Sequence, residues 1–152
     1  MIQSDTQLGL TNRFKVEVDG VDLGRWSGCQ GLAVQYHPYM LEGTGGDYDF
    51  VHILPGQVKF TPIKLSRAMS AQDSKTLFGW IKKKIDEVVD MAGSAAYSDG
   101  SAKIMLVDAH GDEIITWQLR GVHPSSWTGP NLDAGSTKVA IETLELVHEG
   151  FI

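Results

Sequence analysis

"TKVAIETLELVHEGF", Thr137 to Phe151, is the stretch whose pattern decides the fold. Val139 and Ile141 are apolar at one parity, Leu144 and Leu146 at the other. Successive strand residues point to opposite faces, so one uninterrupted ladder cannot send all four into a single core. Either a bulge near Thr143 re-phases the strand, or the strand is apolar on both faces because each face meets something.

Working outward, the rest of the chain is strands around one helix. In "RFKVEVDGVDLG", Phe14, Val16 and Val18 share a face opposite Lys15, Glu17 and Asp19, and Asp19-Gly20 is the dipeptide of a tight hairpin. "GRWSGCQGLAVQYHPYM" reads as the return strand and its continuation, with Gly28 and Gly31 as bends and Pro38 ending, kinking or edging the strand. Leu41 to Gly56 reads as a long loop, rich in glycine. "QVKFTPIKLSR" resumes a strand, Val58 and Phe60 packed on one face, with a shift near Pro62. Ser70 with Asp73 marks a helix start, and Leu77, Ile81, Ile85 and Val88 form its apolar stripe, Lys82, Lys83 and Lys84 pointing away. Gly93 is the expected C-cap. "AKIMLVDAHGDEIITWQLRGV" is a second hairpin turning at His110-Gly111-Asp112, and "HPSSWTGPNLDAGS" a connection to the terminal strand. The expected fold is mainly β, an antiparallel sandwich or partial barrel with one packed helix, in a single domain over residues 1–152.

Composition narrows the function. A net charge of -6 disfavours attraction to nucleic acid or anionic lipid through the whole-molecule field. No apolar run approaches the roughly 20 residues of a membrane span. No signal peptide is expected from "MIQSDTQLGLTNRF", and the single Cys29 fits a reducing cytoplasm without a disulfide framework. The five histidines show no metal-ligand spacing, and Cys29 has no base near it in sequence and reads as a small hydrophobe. "GTGGD" lacks the Gly-Lys-Ser/Thr ending of a phosphate loop. Ser125 and Ser126 lack a nucleophile elbow, and Asp108, Asp112 and Glu113 are turn formers at a hairpin tip. No catalytic, metal or cofactor constellation is expected. What remains is surface: the two-faced last strand, the Gly-rich loop and Trp127.

"WTGPNLDAGSTKVAIETLELVHEG", Trp127 to Gly150, resembles the C-terminal signature of bacteriophage tail tube proteins and the inner tube proteins of extracellular contractile injection systems. "NRFKVEVDGVDLGRWSGCQGL" is similar to that family's opening hairpin, "LPGQVKFTPIKLSR" to the entry of its next strand, and "LFGWIKK" to its helix. The resemblance implies a tail-tube fold, shared at a distance with the haemolysin-coregulated (Hcp) protein of type VI secretion. It implies hexameric rings, whose strands join into one barrel, stacked as a hollow tube inside a sheath. The implied partners are further copies of the chain or tube paralogues, sheath, baseplate and spike, cap, and cargo in the lumen. The implied location is the bacterial cytoplasm during assembly, then the particle or virion. Such proteins have no catalytic residues and no cofactor. On this basis the inter-subunit candidates are Gly43, Thr44, Gly45, Gly46, Asp47, Tyr48, Phe50, Trp127, Ile141 and Leu144, and the lumen candidates Gln57, Lys59 and Thr61. "VQYHPYM" departs from the polar alternation common in the family, which suits a specialised ring. A stand-alone β-barrel holding a small apolar ligand between Trp26, Trp117 and Trp127 is the alternative.

Overall fold

The computed structural model describes residue 10 and residues 13–42, 51–89 and 100–152. The first hairpin forms as its sequence dictates. Strand β1 (Phe14–Val18) turns through Asp19 and Gly20, both at positive φ (49° and 77°), into β2 (Val21–Arg25). A two-residue hairpin asks for that conformation at both central positions, and Asp-Gly supplies it. Phe14, Val16 and Val18 are buried. The expected continuation divides into two strands, β3 (Gly28–Gln30) and β4 (Val34–Glu42). The divide is at Gly31, whose φ is 99° and where a Cβ would lie 2.0 Å from the Pro62 carbonyl oxygen, so only glycine fits.

Strand β5 (Val51–Phe60) begins inside the stretch expected to be loop, because Val51 to Leu54 pair with β4. The shift near Pro62 separates β5 from β6 (Ile63–Ala68), and the two belong to different sheets. Helix α1 (Ala71–Val89) follows, capped by Ser70, whose Oγ accepts the Asp73 amide at 3.2 Å. Residues 90–99, with the expected cap at Gly93, lie outside the described residues. Strand β7 (Gly100–Val107) and β8 (Glu113–Thr128) form the second hairpin, and β9 (Ile141–Val147) and β10 (Gly150–Phe151) complete the fold.

Eight strands make one sheet in the order β2-β1-β7-β8-β9-β6-β3, with β10 also on β8. The expected connection after Val122 is instead the second part of β8. Its first part pairs with β7 and its second, from His123 to Thr128, with β9. Gly121 at φ 59° and a register break between Pro124 and Ser126 mark the change of partner. A bulge is where a sheet interior tolerates proline. One core receives Val16, Leu23, Ile104 and Leu119 from one part of the sheet, Ile63, Leu65, Leu144 and Leu146 from the other, and Leu77 and Trp80 from the helix.

The terminal strand contains no bulge of its own. Its ladder to β6 is unbroken from Ile141 to Leu146. Glu142, Leu144 and Leu146 are fully buried, while Ile141 is 47% exposed and Val139, ahead of the strand, 69% exposed. The break in phase therefore falls between Ile141 and Leu144 because two different surfaces are apolar. The buried acid is neutralised. Arg67, directly across the ladder, donates from Nε to Glu142 Oε1 at 2.6 Å, and Ser74 Oγ and Trp127 Nε1 donate to the same carboxylate at 3.1 and 3.3 Å. Arg67 also reaches the carbonyls of Leu23 and Asp73 and stacks 4.0 Å over the Trp26 ring.

The helix buries Ser74, Leu77, Trp80 and Lys84, so its inner stripe starts as expected and then drifts off Ile85 and Val88, both more than half exposed. Lys84 does not point away with its neighbours. Its ammonium lies 3.3 Å from both Asp19 and Glu87, and Asp19 also accepts the Trp80 indole (2.8 Å) and the Ser101 amide (2.9 Å). Burial by itself would raise the Asp19 pKa, but the Trp80 and Ser101 hydrogen bonds and Lys84 bring it below its ordinary value. Burial likewise would lower the Lys84 pKa, and the Asp19 and Glu87 carboxylates raise it instead. The pair fastens the helix to the first hairpin turn.

Candidate assembly surface

Among the described residues, strands β4 and β5 bond only to each other, as a separate two-stranded ribbon. In its basal part, Val34 faces Phe60 and Tyr36 faces Val58, while Gln35 faces Lys59 and His37 faces Gln57. Strand alternation therefore makes one face apolar and the other polar. At Pro38 the register slips, and Gly56 allows the close approach, since a Cβ there would meet the His37 carbonyl at 1.8 Å. Beyond the slip the pairs are Tyr39 with Leu54 and Met40 with Ile53. Tyr36, Tyr39, Met40 and Ile53 are each about two-thirds exposed or more, and Val58 is 45% exposed. A lone two-stranded ribbon is marginal in water, and clustered exposed apolar side chains mark a surface that meets a partner. The expectation that Val58 and Phe60 pack together is met only by Phe60. Its ring is held at the ribbon base by His148 and Phe151, with centroids at 5.4 and 5.6 Å.

Of the lumen candidates, Gln57 and Lys59 fall together on the polar face, with Gln35 and His37 opposite them. Sequence reasoning missed the last two because "VQYHPYM" shows its alternation only once β4 is seen to pair with β5. Thr61 is past the end of β5 and half-buried, its carbonyl 3.2 Å from His148 Nε2. Of the inter-subunit candidates, Ile141 faces outward. Leu144 does not: it is fully buried in the chain's own core, where parity with Glu142 and Leu146 places it. Trp127 is half-buried, edge-on to Phe78 at 4.9 Å and bonded to Glu142. Gly43, Thr44, Gly45, Gly46, Asp47, Tyr48 and Phe50 lie outside the described residues.

Among the described residues no group of three or more His, Cys, Asp or Glu could hold a metal ion, and no helix is long and apolar enough to cross a membrane. Cys29 is half-buried against the core, and burial pushes its thiol up to about 11, so it stays protonated at neutral pH. Asp108 holds its own turn, accepting the amides of His110 and Asp112 at 2.8 and 2.9 Å. The three tryptophans do not ring one mouth: Trp26 stacks under Arg67, Trp117 lines a shallow depression with Cys29 and Leu32, and Trp127 packs on Phe78.

The family model described as T4-like virus tail tube protein gp19 matches residues 10–152. No curated protein matches at a significant level. Among solved structures, a chain of the PVC sheath-tube complex of an extracellular contractile injection system in its extended state superposes with a TM-score of 0.74 at 21% identity, covering 97% of this chain and 92% of that one. A chain of the anti-feeding prophage baseplate, 6-fold symmetrised, gives 0.69 at 23% identity, covering 97% and 95%. A chain of the anti-feeding prophage tube-terminating cap gives 0.68 at 19% identity, covering 100% and 97%. At these identities the likeness is one of fold.

Proposed function

Since the chain belongs to the T4-like virus tail tube protein family, we propose that it is the inner-tube subunit of a contractile phage tail-like injection system, structural rather than enzymatic. Six copies close into a ring, and rings stack into a hollow conduit inside a sheath. The observation that carries this reading is the β4–β5 ribbon, which among the described residues has no further strand partner on either edge. Ribbons from neighbouring copies pair edge to edge, which removes the open edges and closes the ring. Their apolar faces, with Val34, Tyr36 and Val58, turn outward against neighbouring subunits, and their polar faces, with Gln35, His37, Gln57 and Lys59, line the channel. Such a wall passes cargo without an apolar patch to hold it. Ile141 and the 43–50 segment complete the contacts between copies. Sheath, baseplate and cap are the proposed partners, a reading supported by the fold shared with tube chains of such particles. Electron microscopy of concentrated protein, with and without tube paralogues, is expected to show six-fold rings and hollow stacks. A monomer under every condition overturns the reading.

A further inference from the structure

We infer that a basic pocket at the open end of the first hairpin receives an acidic segment, and that the segment is Glu42–Asp49 of another copy of the chain. This rests on the assembly proposed above and adds the receptor. Arg13, Phe14 and Lys15 at the start of β1, Arg25 and Trp26 at the end of β2, and Val107 to Gly111 at the β7–β8 turn surround about 450 Å³. The turn is fastened to the hairpin by the Val107 amide, which donates to the Arg13 carbonyl at 3.0 Å.

The charges there are unbalanced. Lys15 is directly opposite Arg25 across the ladder, and its neighbour on the other side is Met105. Like charges facing each other across a sheet destabilise it. At the turn end of the same hairpin the facing acids Glu17 and Asp22 have Lys103 beside them. Lys15 and Arg25 have no such relief. Among the described residues no carboxylate pairs with Arg13, Lys15 or Arg25. Asp108, the acid on the rim, accepts the amides of its own turn on Oδ1 and forms no ion pair with the three cations. The wall also contains an unsatisfied donor. Trp26 is 4% exposed, and its indole N–H has no hydrogen-bond partner among the described residues. That N–H is shielded from solvent, so the cations carry the argument. Three cations around one cavity, unpaired among the described residues, call for an anionic partner, in a protein whose net charge is -6.

The chain contains a segment of the matching charge. No lysine or arginine occurs between Arg25 and Lys59, and the acids of that interval are Glu42, Asp47 and Asp49. Glu42 ends β4 at the ribbon's far end, some nine residues and roughly 30 Å from its base, and Asp47 and Asp49 follow it in sequence, which favours a second copy over the same chain. A contact between two different surfaces of identical copies is head-to-tail, and where its rotation does not close into a ring it repeats along an open stack.

The test is a charge swap with two readouts. A synthetic peptide of residues 41–51 is titrated calorimetrically into the full chain. It is expected to bind saturably, more weakly as salt rises, and about tenfold more weakly to Arg25→Glu or Lys15→Glu. A peptide carrying Asp47→Lys is expected to recover binding to Arg25→Glu. In the full chain, Arg25→Glu is expected to abolish stacking and Arg25→Glu with Asp47→Lys to restore it. Equal peptide binding by wild type and Arg25→Glu, binding of polyglutamate but not of this peptide, or no rescue by the swap overturns the inference. If the wild type never assembles while peptide binding follows the charge pattern, the tube reading falls and the pocket stands.

Discussion

Glu142 is the residue on which the interior turns. A carboxylate placed between buried leucines is tolerated because Arg67, Ser74 and Trp127 all donate to it, binding β6, β8, β9 and the start of α1 into one network. Removing one partner of a buried pair strands the other, at a cost of roughly 3–5 kcal/mol. Glu142→Ala is therefore expected to lower the urea midpoint sharply and to be worse than Arg67→Met with Glu142→Leu, which removes both charges. A midpoint within error of wild type would refute the network's role. His148 predicts a pH dependence. Burial between Phe60 and Phe151 lowers its pKa below the ordinary 6.5, against the opposing pull of the Thr61 and Gly150 backbone. The unfolded chain thus takes the proton first, so the contribution of neutral His148 is complete above 6.5 and is lost as pH falls through the lowered folded value. Denaturation midpoints are expected to drop between neutral pH and about pH 5, with a shallower drop in His148→Phe. Equal slopes in the two proteins would remove His148 from the account.

At the scale of the element, the ribbon is the part that the monomer does not explain. Its apolar face is anchored at the base, where Phe60 meets His148 and Phe151. Tyr36→Thr with Val58→Thr leaves strand-favouring residues in the strands while removing apolar surface that is already exposed in the monomer. Thermal melting of the isolated subunit is expected to change little, by about 0.5 kcal/mol or less, as for surface substitutions generally. Ring formation, followed by sedimentation velocity, is expected to fail. Rings of normal size from this variant would show that the face meets only water. Helix α1 is the contrasting case. The Asp19–Lys84 pair and the Trp80 indole bond hold it to the first hairpin, so its position is settled within the subunit.

For the whole molecule, the proposed tube makes each polar ribbon face part of a channel wall, and Lys59 is its charged member among the basal pairs. A cysteine at Lys59, labelled with a bulky maleimide in assembled tubes, is expected to react quickly through open ends and slowly once the ends are capped. Cys29, half-buried with its thiol pKa near 11, gives a low background. Labelling that ignores the caps but is blocked by sheath would put Lys59 on the outer wall.

The chain's pattern alone determined the first hairpin, the helix start, the mainly antiparallel class and the family. The first three rest on local rules: Asp-Gly for a turn with positive φ, alternation for a half-buried strand, a hydroxyl ahead of a helix; the family rests on the resemblance of whole motifs such as Trp127 to Gly150. It also marked the last strand as having two apolar surfaces. Only the tertiary structure decided which surface was which. Leu144 faces the chain's own core and Ile141 faces away because β6 and β8 flank β9 in one register, and register depends on residues distant in sequence. Lys84 looked like one of three solvated lysines until the fold brought Asp19 beside it. The outer half of the ribbon, from Leu41 to Gly56, looked like loop because its glycines and Pro55 interrupt the pattern, and its pairing becomes visible when β4 and β5 are laid side by side. Pairing across the chain is a property of three-dimensional packing, and no local pattern contains it.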